Sequence, residues 1–209
     1  MKKHLLPFVD YQRIFQVVYS VLQASEIAIT HRACVFFTAA GTLILRDHYH
    51  LPATISAGCM ALMVHEEKTN VLVYGRKEDG NFVFDRDAFH AWVECDGWLI
   101  DFMAPIMGIA LREDGVDWNI PRKMLQKPLL EGRGSLKEVQ RQGDFYVEHD
   151  AMLANSLLDD QSSHANDLLK ICLAWYRRPP KTLGSIGMGN SHGPTKILSA
   201  RAPSIDGIW

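Results

Sequence analysis

The stretch Phe89-His90-Ala91-Trp92-Val93-Glu94-Cys95-Asp96-Gly97-Trp98-Leu99-Ile100-Asp101 decides the fold. Two apolar runs of strand composition flank an Asp-Gly pair, the strongest short-range signal for a two-residue hairpin turn. With Asp96-Gly97 as the turn, Cys95 faces Trp98, Val93 faces Ile100 and Trp92 faces Asp101. Alternate residues share a face of a strand, so His90, Trp92, Glu94, Leu99 and Asp101 lie on one side and Cys95 on the other. His90 and Asp101 become diagonal neighbours with backbones about 7–8 Å apart, within reach of an imidazole–carboxylate hydrogen bond. A carboxylate so placed fixes the tautomer of a histidine, orients its ring and stabilises the imidazolium.

Upstream of the hairpin, Ile14, Val17, Val18, Val21 and Leu22 recur at helical spacing over residues 10–24. That pattern predicts an amphipathic helix. A second apolar segment, Cys34 to Leu45, reads as a buried helix with Thr30 placed to cap it; Gly41 and several β-branched residues weaken the pattern. Short runs at Thr54–His65, Asn70–Tyr74 and Phe82–Phe84 have strand composition, the last two separated by the turn Glu78-Asp79-Gly80-Asn81. Downstream, residues 102–143 carry Pro105, Gly108, Gly115, Pro121 and Pro128 and read as a long irregular loop able to shape a substrate groove. Phe145–Glu148 reads as a further strand, and 151–158 and 165–176 as helices stopped by Pro179-Pro180. The expected class is α+β, a helical portion packed on an antiparallel β-sheet. Residues 1–178 form one domain and 179–209 a tail without regular structure.

Composition narrows the function classes. Of 209 residues, 22 are basic and 24 acidic, so no cationic surplus invites a phosphate backbone and nucleic acid is not an expected partner. No apolar run reaches the roughly 18 residues that span a bilayer. The opening Met-Lys-Lys-His meets Asp10 and Arg13 before an adequate apolar stretch forms, which reads as no signal peptide. Cys34, Cys59, Cys95 and Cys172 are widely spaced and form no CxxC pair, as free thiols in a cytoplasmic protein would be.

A histidine opening the strand His-Ala-Trp-Val-Glu, a short turn, then Trp-x-x-Asp resembles the second half of the transglutaminase-like core, a superfamily that shares a Cys-His-Asp arrangement with papain-like cysteine proteases. The resemblance covers about residues 30–103. It implies a papain-like or transglutaminase-like fold and a nucleophile at the N-terminus of a buried helix ahead of the histidine. Cys34, in His31-Arg32-Ala33-Cys34-Val35, opens such a segment. The implied catalytic set is Cys34, His90 and Asp101, with Trp92 and His31 as substrate-binding neighbours. A helix N-terminus stabilises a thiolate and supplies an oxyanion donor through the Cys34 N–H. Papain relatives draw a second donor from an upstream glutamine, and Gln23 is the only close candidate, although it sits inside the first helix. The implied reaction is acyl transfer or hydrolysis at an amide or isopeptide bond of a peptide, protein or small amide, with no cofactor.

Other readings stand beside this one. A degenerate member would keep the fold and bind a peptide or protein without turnover. His31, Cys34, His48 and His50 could assemble a metal site. Trp92 and Trp98 serve equally well as packing residues, with Trp92 able to wall a cleft on the His90 face. Cys59 and Cys95 read as core positions.

Overall fold

The β-hairpin forms at the expected positions in the computed structural model, which describes residues 4–26, 29–79, 81–159, 162–177, 182–189 and 193–209, with the side chains of His31, Asn81 and Leu158 outside that description. In chain order the elements are α1 (Phe8–Ser25), α2 (Cys34–Tyr49), β1 (Thr54–His65), β2 (Asn70–Tyr74), β3 (Arg76–Glu78), β4 (Asn81–Val83), β5 (His90–Cys95), β6 (Trp98–Asp101), α3 (Met107–Glu113), β7 (Lys123–Pro128), β8 (Phe145–His149), α4 (Ala151–Asp159), α5 (Ser163–Trp175), β9 (Ile186–Met188), β10 (Lys196–Leu198) and β11 (Gly207–Ile208). Val93 pairs with Ile100, Glu94 with Leu99 and Cys95 with Trp98. Asp96 and Gly97 both hold positive φ, 48° and 76°, as a tight hairpin turn of right-handed strands requires.

The central sheet runs β11-β7-β6-β5-β1-β2, with β8 also paired to β1. β1 is buried along almost its whole length, as a strand covered on both faces must be. β2 and β5 follow one another along it: Tyr74, the last residue of β2, stands opposite Met60, and His90, the first of β5, opposite Gly58. The chain leaves the sheet between them through Gly75 and the β3–β4 hairpin. Gly80, within the turn expected there, lies outside the described residues.

One face of the sheet, with Ala57, Ala91, Val93, Cys95 and Ile100, is covered by α1, α2 and α5 through Val18, Phe37, Leu169 and Cys172. The other, with Met60, Leu62, Trp92, Leu99, Leu125 and Phe145, is covered by Ala104, Met107 and Ile120. The stretch 102–143 is therefore not an irregular loop. It contributes α3, packs a second core and supplies β7, whose Leu125 pairs with Asp101. The run Lys123-Met124-Leu125-Gln126-Lys127 lies between Pro121 and Pro128 and is too short and too polar at its ends to announce a strand. Its Gln126 is buried by hydrogen bonds with both the N–H and the carbonyl of Leu6.

The C-terminal segment also differs from expectation. β9 pairs β10, Leu198 and Ile205 are buried in the helix-side core, and β11 joins β7 in parallel, making the sheet mixed rather than purely antiparallel. Three short strands with two or three residues each carry too little periodicity to be read locally. Pro179-Pro180 lie outside the described residues. The fold is α+β. Among the described residues no helix is long and apolar enough to cross a membrane.

Candidate active site

Four pieces of chain converge where β2 ends and β5 begins. His90 and Asp101, fully buried at 0% and 1% exposure, meet across the hairpin: His90 Nε2 lies 2.9 Å from Asp101 Oδ2. The second carboxylate oxygen, Oδ1, accepts the Met103 N–H at 2.8 Å, so neither oxygen is left to rotate towards another donor. The hairpin register thus delivers the diagonal contact that its sequence predicts.

Helix α2 brings the thiol. Gly41 lets the helix press against the strand end that carries Asp101, since a Cβ there would lie 2.3 Å from the Phe102 ring. Tyr11 of α1 stacks on Phe102 with ring centroids 5.0 Å apart, and its hydroxyl donates to the Asp101 carbonyl. Both helices are thereby registered against residues 101 and 102. Cys34, the first residue of α2, lines one cavity of about 420 Å³ with Arg32, Tyr74, Phe89, His90 and Met103. No side chain caps the helix at Ala33, which leaves its first-turn N–H groups for an incoming anion or oxyanion. At 8% exposure Cys34 is the most accessible residue of the trio, ahead of His90 and Asp101.

Burial works against a charge on His90. The Asp101 carboxylate, followed by the Cys34 side chain, more than reverses this and pushes the imidazole up to about 10. The protonated ring therefore prevails at neutral pH. Its Nδ1 is buried without a fully formed hydrogen bond, although Cys34 lies close enough to act on the ring. Such contacts are commonly long before substrate closes them. All four cysteines are free, but burial pushes Cys59 up, Cys95 up to about 11 and Cys172 further still.

Not every expected site residue is here. Trp92 is 0% exposed and packs in the second core, its Nε1–H donating to Glu94 at 3.0 Å, so it does not wall the cavity. It shares the His90 face, but that face is covered two residues further along the strand. His31 lies in the 3-10 turn Thr30–Arg32, and its side chain is outside the described residues. Gln23 lies at a separate surface groove with Tyr19 and Ile197, because α1 carries it away from the start of α2. The four-residue metal site is excluded by helix length: Cys34 and His48 sit at opposite ends of α2, about 21 Å apart. Among the described residues no group of His, Cys, Asp or Glu forms a metal-binding cluster.

Tyr74 and Arg32 line the cavity but were given no role in the sequence reading. Tyr74 stacks on His90 with ring centroids 4.1 Å apart and planes 16° off parallel. Arg32 lines the mouth and pairs with Asp114, just beyond α3, at 2.5 Å. Tyr74 ends a predicted strand, but only the way β2 and β5 share β1 brings it to the histidine.

The chain belongs to the family described as "Protein of unknown function (DUF2026)", whose model matches residues 7–209. It is also similar to a solved chain described as "The crystal structure of genomics APC5867": 27% identity, 100% of this chain and 99% of that one covered, TM-score 0.86. No curated protein matches. The likeness extends over the C-terminal strands, so this segment belongs to the shared fold.

Proposed function

We propose that this chain is a cysteine-dependent acyl-transfer enzyme or hydrolase built on a papain-like or transglutaminase-like core, with Cys34 as nucleophile, His90 as acid and base, and Asp101 as the group that orients His90. The observation that carries the reading is the one buried line from carboxylate to imidazole to a thiol at an uncapped helix N-terminus, opening into a single cavity.

The Cys34 thiolate attacks the carbonyl carbon of an amide or isopeptide. The carbonyl π electrons move to oxygen, which the Cys34 N–H meets as a donor. As the C–N bond breaks, its electrons go to nitrogen, and the His90 imidazolium gives that nitrogen a proton, releasing an amine and leaving a thioester on Cys34. Neutral His90 then takes a proton from water or an acceptor amine, which attacks the thioester and expels the thiolate. Asp101 holds Nε2 throughout. Peptides, proteins and small amides all fit this chemistry, and four free buried cysteines suit a reducing, cytoplasmic setting.

The near-complete burial of Cys34 favours one second reading, a binding module that keeps the fold without turnover. Limiting iodoacetamide at about pH 6, with mass-spectrometric mapping, separates the two. Fast labelling confined to Cys34, slowed in His90→Ala, is the expected result. Labelling of Cys34 no faster than of Cys59, Cys95 or Cys172 would sink the enzyme reading and leave the binding module.

A further inference from the structure

We propose that Tyr74 is a positioning residue of this site: its ring holds the plane in which the His90 imidazole meets Asp101 through Nε2 and Cys34 through Nδ1, and its face stabilises the imidazolium. The inference rests on the acyl-transfer reading and adds to it the device that keeps the proton carrier in line.

A ring tethered by one hydrogen bond can still pivot about it. The Nε2–Asp101 contact fixes one end of the imidazole, while Nδ1 has no completed bond to hold the other. Tilting about that tether would swing Nδ1 away from the sulfur. A nearly parallel aromatic ring at 4.1 Å removes that freedom, because any tilt drives the two rings into each other. Backbone register holds the stack: Tyr74 and His90 stand opposite Met60 and Gly58, successive positions on one face of β1.

Charge adds a second effect. The negative face of an aromatic ring favours a cation lying over it, most strongly where water is excluded. Burial, then Asp101 and Cys34, raise the Tyr74 hydroxyl well above its ordinary range, so its ring stays neutral while the imidazole carries charge. The groups acting on the imidazole are then Asp101 from β6, Cys34 from α2 and Tyr74 from β2, with Arg32 and Asp87 at the cavity edge.

The test uses the full chain with Tyr74→Phe, Tyr74→Leu and Tyr74→Met; the last two remove the ring but retain apolar bulk, so that at least one should fold. Two profiles are recorded against pH: the iodoacetamide rate at Cys34 and the His90 imidazole ¹⁵N shifts. Loss of the ring should lower the His90 midpoint by about one pH unit. His90 still carries its proton at pH 6, so slower Cys34 labelling there, by about tenfold, reads the lost alignment of Nδ1 with the sulfur, while the rate at pH 9, where an ordinary thiol is ionised, is retained. Tyr74→Phe, which keeps the ring, should keep both profiles, whereas a merely space-filling role would leave the His90 midpoint unmoved in Tyr74→Leu and Tyr74→Met. An unmoved His90 midpoint in Tyr74→Leu and Tyr74→Met overturns the proposal, as does equal slowing in Tyr74→Phe. A shifted His90 midpoint in a protein whose wild-type Cys34 is not selectively labelled supports the hold of Tyr74 on the imidazole and overturns the acyl-transfer reading alone.

Discussion

Two histidines stand opposite Gly58, His90 on β5 and His149 on β8, and their surroundings diverge. His90 is fully buried, bound to a buried carboxylate and covered by a tyrosine ring. His149 is exposed, and its Nδ1 pairs with the buried hydroxyl of Ser56. A carboxylate lies beside His149 too, but Asp150 is occupied in capping α4, accepting the N–H groups of Met152 and Leu153. A serine and a histidine in contact resemble a catalytic pair on paper. Among the described residues no buried carboxylate is hydrogen-bonded to that imidazole, so the pair lacks what makes the His90 site chemically distinctive.

Removing the glycine between the two histidines should have the largest effect. Gly58 holds φ +155°, and a Cβ there would fall 1.9 Å from the Glu148 carbonyl oxygen, a backbone atom that cannot step aside. Gly58→Ala should cost roughly 3 kcal/mol or more by denaturant titration, since β8 must shift to admit the methyl. A variant within about 0.5 kcal/mol of wild type would show that the two neighbouring strands are not as tightly held as this contact implies.

Next is the carboxylate that separates the histidines. Asp101→Asn keeps the shape but removes the charge that holds His90 protonated. Cys34 labelling at pH 6 should fall by about 10²-fold or more, in line with the loss of an orienting acid. An unaltered rate would mean that Asp101 is a structural hairpin residue and that the two histidines differ only in burial.

The pH dependence of stability sharpens the comparison further. The folded His90 value of about 10 lies above its ordinary 6.5, so its contribution is fully present below about pH 6.5 and is lost as pH rises through about 10. Wild-type unfolding free energy should decline across that window more steeply than that of His90→Asn. Parallel curves for the two proteins would remove the charge argument. The smallest effect belongs to the other histidine: His149→Ala should change stability by about 1 kcal/mol or less and leave Cys34 labelling unaltered. A large drop in labelling would show that the two histidines are coupled through β1.

Legibility followed the range over which each interaction acts. The boundaries of β1 and β2, the hairpin register and the helical nature of α2 were readable, because period-2 alternation, an Asp-Gly turn and a long apolar segment are local signals. The His90–Asp101 contact was readable for the same reason, since one hairpin contains both residues. β7 was hidden: its neighbours in the sheet are β6 and β11, and its short run owes its burial to them. Gly41 looked like a flaw in a helix until Phe102 filled the space its missing side chain leaves.

By itself the amino-acid sequence determined the α+β class, the hairpin and the pairing of His90 with Asp101, through backbone geometry that repeats every two residues. Tertiary structure alone decided that Trp92 packs in a core instead of lining a cleft, that Tyr74 covers the imidazole, and that Cys34 meets His90 at a break between two collinear strands. Those outcomes depend on how layers stack and where strands end along β1. Solvent exclusion and contact across layers are set by surfaces far apart in the chain, and no local pattern of residues encodes them.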